Sequence, residues 1–219
     1  LKKNRQIKFL SNLVLRVNKL FKNIKKIVKK KDIYYLEADY IWGRKEKLLG
    51  WRANIKNYSA TLGAGIHLID LSTWILKKKP ISVISYGNSI ATNKTKFKEN
   101  SFVINLFKFP GNVLLKITSN LAGNYEHFHE LKIFEKNKTI IHNLSHSFII
   151  DSKKNKKNLK GNYPDKFNRK KLIQNFIDQI KDTSIKPILT LKEQFDLMSI
   201  CFYADKSLKS RKEVKIKYL

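Results

Sequence analysis

Six strand-like runs follow one another between Ile81 and Ser152 with no helix-length segment among them. They read ISVISYGNSIA (81–91), SFVINLFKF (101–109), NVLLKITSN (112–120), HELKIFEKN (129–137), KTIIHNL (138–144) and SFIIDS (147–152). Each is rich in β-branched and aromatic residues, the types that fit a pleated, half-buried surface. Their separators are turn signals: Pro110-Gly111 closes one hairpin and Glu135 to Lys138 closes another. Strands joined by links this short pair antiparallel, because a parallel crossover needs a dozen or more residues. An antiparallel meander is therefore expected. Along 101–109, Phe102, Ile104, Leu106 and Lys108 alternate with Ser101, Val103, Asn105, Phe107 and Phe109. Both faces are partly apolar, so the sheet is expected to be covered on both sides, at least in part.

The flanking segments add helices and further strands. IKFLSNLVL (7–15) reads as a short buried strand, preceded by what looks like the end of a helix. Leu20 to Lys30 places Leu20, Phe21, Ile24, Ile27 and Val28 at helical spacing, with lysines opposite. IYYLEADYIW (33–42) is a strand. After a polar loop from Lys153 to Pro164, the spacing predicts helices over 166–182 and 191–209, separated at Lys186-Pro187, and a last strand over 213–218. The fold class is α+β: a large, mostly antiparallel sheet with helices packed on one face.

The 219 residues suffice for one sizeable domain, or for a domain plus a fragment of another. The chain opens on Leu1 and its only methionine is Met198, so a truncated or processed piece is expected. No apolar run reaches the roughly 18–20 residues a membrane span needs, and the first residues make a poor signal peptide. The single cysteine, Cys201, lies in an apolar helical pattern, which fits a reducing cytoplasm.

A formal charge of +29 invites a nucleic-acid reading, yet only six of the 46 basic residues are arginines. Arginine is the usual reader of base edges and phosphate forks. The lysines are spread through 22–32, 92–98 and 151–160 without regular aromatic interleaving, and the chain is rich in Asn, Ile, Phe and Tyr. That pattern reads as a solvated surface with a codon-driven bias, and argues against nucleic acid as a partner.

The segment with most chemical content is WRANIKNYSATLGAGIHLIDLSTWIL (51–76). A small, glycine-bearing turn leads into an apolar helix carrying His67 and Asp70, three apart and so on one face. A histidine near a helix N-terminus, with a carboxylate beside it, can transfer protons. It can equally be a hydrogen-bonded core residue. Asp70 either orients His67 or binds a ligand hydroxyl, or it pairs within the helix. Arg52 presents a planar fork for a phosphate, carboxylate or hydroxyl, or makes a surface ion pair. Trp51 can stack on a sugar face or belong to the core. His127 and His129, two apart, share one face of a strand; no cysteine or carboxylate cluster completes a metal site with them, and no metal is expected. His142 and His146 flank a turn and are expected to be solvated.

The order of these elements resembles the C-terminal half of the glucose–fructose oxidoreductase / inositol dehydrogenase / MocA (Gfo/Idh/MocA) family of NAD(P)-dependent oxidoreductases. SNLVLRVNKLFKNIKKIV (11–28), WR (51–52) with GIHLIDLSTWIL (65–76), and the closing helix pair and strand over 175–216 carry the resemblance. It implies that residues 1–16 are the last strand of a truncated Rossmann-type dinucleotide-binding domain, and that 17–219 form a C-terminal substrate and oligomerisation domain. It implies NAD or NADP as cofactor, a sugar or sugar-nucleotide substrate, and a homo-oligomer built through the sheet. His67 matches the catalytic histidine beside the reacting carbon, Asn12 and Arg16 would face the cofactor, and His127 would contribute to the substrate pocket. The family's Gly-rich phosphate turn and Glu-Lys-Pro segment are not in this sequence, so the piece is expected to be inactive alone. Many relatives carry an aspartate four residues before the histidine, where this chain has Gly63. Either His67 acts with Tyr58 or another nearby hydroxyl, or the substrate is oriented differently. The alternative to an enzyme is a sheet domain for oligomerisation or for docking acidic partners.

Overall fold

The computed structural model describes residues 8–219. Nine strands form one sheet: β1 (Ile33–Ile41), β2 (Ser82–Asn88), β3 (Phe102–Lys108), β4 (Leu114–Asn120), β5 (Phe128–Glu135), β6 (Lys138–His142), β7 (Ser147–Asp151), β8 (Lys156–Asn158) and β9 (Val214–Lys215). Their order in space is β8-β7-β6-β5-β1-β4-β3-β2-β9. The expected meander is thus interrupted once. Strand β1, from far earlier in the chain, lies between β4 and β5, parallel to β4 and antiparallel to β5. Its alternation of Leu36, Ala38 and Tyr40 inward with Glu37 and Asp39 outward is what a central strand with one buried face requires. The remaining pairings are antiparallel. The hairpin turn after β3 places Gly111 at φ 82° and Asn112 at φ 60°, left-handed positions suited to these residue types.

Helices α1 (Lys19–Ile27), α3 (Ile66–Leu76) and α5 (Leu191–Ser210) carry much of the core that covers the inner face, while α2 (Lys45–Leu48) and α4 (Lys170–Lys181) are more peripheral. Asn18 starts α1 by accepting from the amides of Leu20 and Phe21. Thr190 and Glu193 form a reciprocal capping box at the start of α5. The core joins Phe21 and Ile24 of α1, Leu68, Leu71 and Ile75 of α3, and Phe107 and Leu115 of the sheet, all fully enclosed. Cys201 lies among them, its thiol pushed up by burial. Against the expectation of cover on both sides, none of the described residues covers the outer face at Tyr86, Leu106 and Leu114, which are exposed there.

The strand expected over 7–15 is not formed. Residues 8–13 run without secondary structure into a 3₁₀ turn at Val14–Val17. A strand needs a neighbour to complete its ladder, and this segment instead bonds a side chain. Gln194 of α5 accepts from the Ser11 amide (2.6 Å) and donates to the Phe9 carbonyl (3.0 Å). The helix end expected before Ile7 falls outside the described residues. Among those described, no helix is long and apolar enough to cross a membrane.

Candidate active site

Helix α3 does not begin as an ordinary helix. A π-helical turn over Thr61–Gly65 precedes it, a geometry that widens a helix where function needs an irregular backbone. Ser59 holds its start, accepting from the Leu62 amide (3.1 Å) and donating to Asp205 (2.6 Å). Gly65 lets the turn press onto β4, since a Cβ there would stand 2.6 Å from the Ser119 hydroxyl oxygen. At Gly63 a Cβ would run into the Tyr58 hydroxyl, so Tyr58 fills the space that a side chain at 63 would take.

The next turn presents His67 to a cavity of about 160 Å³ lined by Tyr40, His127, His129, Tyr163 and Arg169, with Asn12 and Asn18 among its other walls. The β1–β5 register sets Tyr40 directly opposite His129, and their rings stack at 4.0 Å. His67 meets Tyr40 edge-on at 6.0 Å and His129 edge-on at 6.1 Å, and His127 lies 5.7 Å from His129. Nδ1 of His129 is hydrogen-bonded to the Tyr163 hydroxyl, leaving its buried Nε2 without a partner. Nδ1 of His67 and Nδ1 of His127 are buried and unpartnered as well.

Burial, then the charge of neighbouring groups, keeps these imidazoles neutral. His67 is pushed down to about 4 by burial, with His127 and Arg169 adding to the effect. His127 is lowered to about 4 by burial and by Arg44 and Arg169. His129 falls well below its ordinary value, chiefly through burial. A neutral imidazole beside a guanidinium, here that of the exposed Arg169, can accept a proton while the cation steadies the charge left behind. Among the described residues, no group of three His, Cys, Asp or Glu side chains is placed to hold a metal ion.

The structure sorts the residues expected at the site. His67, His127 and Asn12 meet at this cavity. Asp70 and Arg16 do not line it: they form a buried ion pair with each other, Arg16 Nη2 standing 2.7 Å and Nε 3.0 Å from the carboxylate. Arg16 also donates to Glu193 (2.7 Å) and to the Ile188 carbonyl (3.3 Å), so its fork is fully engaged within the fold. Burial alone would lower the guanidinium; hydrogen bonds and charge from Asp70 and Glu193 outweigh it and raise it. Trp51 is 63% exposed, and the Arg52 guanidinium lies over the Trp51 and Trp42 rings at 4.3 and 4.9 Å. Tyr58 packs edge-on against Phe97 with Arg52 beside its hydroxyl, and it lines a different cavity, with Ser59 and Asp205.

Tyr40, Tyr163 and Arg169 carry no sequence signal of their own. Tyr40 reads as one more aromatic strand residue, and the other two arrive from a loop and a helix start more than a hundred residues away. His129 was half visible, as the partner of His127 at strand spacing. His142, expected in solvent, is only 2% exposed and its Nδ1 is bonded to the Ser147 hydroxyl at 2.7 Å. The β6–β7 pairing sets the two opposite each other and packs the imidazole against Phe21 and Phe128.

Comparison with known proteins places the fold. The family model described as "Oxidoreductase family, C-terminal alpha/beta domain" (GFO_IDH_MocA_C) matches residues 25–190. No curated protein sequence gives a match. Among solved structures, myo-inositol 2-dehydrogenase from Lactobacillus plantarum superposes with a TM-score of 0.80 at 17% identity, over 99% of this chain and 67% of that one. Scyllo-inositol dehydrogenase from Lactobacillus casei, solved with NAD(H) and scyllo-inositol, gives 0.77 at 14% identity, over 98% of this chain and 66% of that one. UDP-N-acetylglucosamine 3-dehydrogenase from Acidithiobacillus ferrooxidans gives 0.73 at 12%, over 91% of this chain and 60% of that one. The chain therefore spans about two thirds of these proteins or less, and at such identities the likeness is one of fold.

Proposed function

We propose, for a chain that belongs to the Gfo/Idh/MocA oxidoreductase family through its C-terminal alpha/beta domain, that the His67 cavity is the substrate side of an NAD(P)-dependent oxidoreductase acting on a sugar hydroxyl or ketone. The observation that carries this reading is the group of neutral imidazoles His67, His127 and His129 around one small cavity with Arg169 in its wall. The names of the solved neighbours, two inositol dehydrogenases and a sugar-nucleotide dehydrogenase, support a polyhydroxylated substrate.

The cavity fits a redox reaction at a carbinol carbon. Three imidazoles, two tyrosines, two asparagines and Arg169 in its lining offer hydrogen-bonding partners to the hydroxyls of a ligand. A nicotinamide, when bound, supplies the hydride acceptor. The residues of this chain do the rest. His67 takes the hydroxyl proton on Nε2, the ring nitrogen that is not enclosed, and returns it in the reductive direction. Arg169 steadies the oxygen as negative charge develops on it. Tyr40 and His129 wall the site and exclude water. Asn12 lines the cavity and is the residue of this chain we assign to the cofactor.

The 219 residues hold neither a GxGxxG turn nor a Glu-Lys-Pro segment, so turnover by this chain alone is not expected. Helix α4 exposes Ile173, Ile177 and Ile180 in one stripe, beside the Val14–Val17 turn; we assign this surface to contact with the cofactor-bearing domain. The open sheet face, where Leu106 and Tyr86 flank the Glu37–Lys116–Lys132 ion cluster, is assigned to a second copy of the chain.

The test is His67→Ala in a full-length enzyme carrying this domain. Turnover of inositols and simple sugars is expected to fall by roughly a hundredfold or more while cofactor affinity holds. Unchanged turnover refutes the role given to His67.

A further inference from the structure

A second cavity of about 440 Å³ lies on the far side of Tyr163, which lines both it and the His67 cavity. Its floor is the buried His142. Ser147 fixes that ring through Nδ1, so Nε2 is left without any partner, at the cost that an unsatisfied buried polar atom always carries. Phe128 and Tyr163 flank the imidazole with centroids at 4.9 and 4.8 Å. The rim adds the side chains of Asn143, Asn158 and Asn162.

This wall is built rather than loose. Gly161, at φ 140°, crosses the first turn of α1 so closely that a Cβ would stand 2.7 Å from the Leu20 Cα. Asn23 of α1 donates to the Lys160 carbonyl at 2.9 Å, tying the loop to the helix. Strand β7 holds the other end, the Ser147 carbonyl accepting from the Leu159 amide at 2.8 Å.

The lining chemistry is distinctive for this chain. Charged residues make up 29% of the sequence, yet no Lys, Arg, Asp or Glu lines this cavity. A phosphate or carboxylate ligand would find no lysine or arginine in its walls; besides His142 the lining holds one further imidazole, the exposed His146. Amide side chains, a free imidazole nitrogen and aromatic rings match instead the paired hydroxyls and apolar C–H faces of a neutral sugar ring. The volume lies in the range of small-ligand sites.

We propose that this cavity is a subsite for a neutral sugar unit, so that a substrate of two linked rings lies across Tyr163 with its reacting ring at His67. The spanning arrangement rests on the function proposed above; the sugar site itself does not. It also favours a glycoside over a sugar nucleotide as the extended substrate, because a diphosphate would meet no lysine or arginine in this lining.

The experiment is a titration of the chain with maltose, cellobiose, sucrose and trehalose, followed by amide and imidazole NMR shifts, with uridine diphosphate as the anionic control. At least one disaccharide is expected to bind saturably in the millimolar range, shifting signals of His142 and the 158–163 loop. Replacing Asn158 and Asn162 together by alanine is expected to weaken binding roughly tenfold, the equivalent of about one hydrogen bond, with the amide spectrum otherwise preserved. Ser147→Ala, which frees the His142 ring, provides an independent second variant expected to weaken it too. His67→Ala is expected to leave binding in this cavity intact, which separates its fate from that of the proposed reaction. The proposal is overturned by the absence of saturable binding for all four sugars, by affinities unaltered in both variants, or by uridine diphosphate binding the cavity as tightly as the sugars.

Discussion

Lowering the pH from 7.5 to 5 should weaken this fold by an amount traceable to two histidines. His67 and His142 are both held at about 4 by burial, against about 6.5 for an unfolded chain. Because the folded value is the lower one, the unfolded state binds more protons as pH falls through the interval between them. The stabilisation from keeping each ring neutral is complete above the unfolded value and disappears toward the folded one. At pH 5 an unfolded imidazole is almost fully protonated and a buried one hardly at all, so each ring removes about 2 kcal/mol, or about 4 kcal/mol together. That is a large share of the roughly 5–15 kcal/mol a domain typically has. His129 acts in the same direction. The assay is urea denaturation at the two pH values, for the parent and for the double variant His67→Gln/His142→Gln. Any loss of packing in the variant is common to both pH values and cancels. The parent midpoint should fall by roughly 1–2 M more than that of the variant, given the usual dependence of stability on urea. Equal falls in the two proteins would show that these rings are not held neutral by the fold.

Two further outcomes follow from the packing. Asp70→Asn leaves Arg16 as a buried charge with only Glu193 as an ionic partner and should destabilise by about 3–5 kcal/mol, whereas replacing both residues, as Arg16→Met/Asp70→Leu, should recover much of that; urea midpoints measure both. If the open sheet face joins two copies, Leu106→Glu, which places a charge on that exposed surface, should lower the mass seen by light scattering to that of one chain without changing the circular dichroism; an unaltered mass counts against the assigned interface.

Much of the architecture could be read from local pattern. β1 through β7 fall on the runs picked out by their β-branched and aromatic residues, and Pro110-Gly111 closes the hairpin it signals. Helices α1 and α5 follow the apolar spacing that predicts them. His67 was singled out by its place after a small-residue turn, and the family to which the chain belongs was legible in the order of short motifs. The failures share a physical cause. Residues 8–13 look like a strand because their composition suits one, but a strand exists only against a partner, and here Gln194 takes that place. His142 looked solvated because it adjoins a turn, and only the β6–β7 pairing buries it.

The amino-acid sequence by itself determined most of the segments that become strands or helices, where the main hairpins turn, and that His67 lies near the start of an apolar helix. These depend on contacts a few residues apart, which periodicity and turn chemistry encode directly. Only the tertiary structure decided that β1 enters between β4 and β5, which sets Tyr40 against His129 and so builds the wall facing His67. It alone brought Tyr163 and Arg169 to the same cavity, and paired Asp70 with Arg16 across 54 positions. Such pairings arise from burial shared by distant segments, and a buried ion pair and a catalytic pair use the same residue types. Local pattern cannot tell them apart; the packing that encloses each group does.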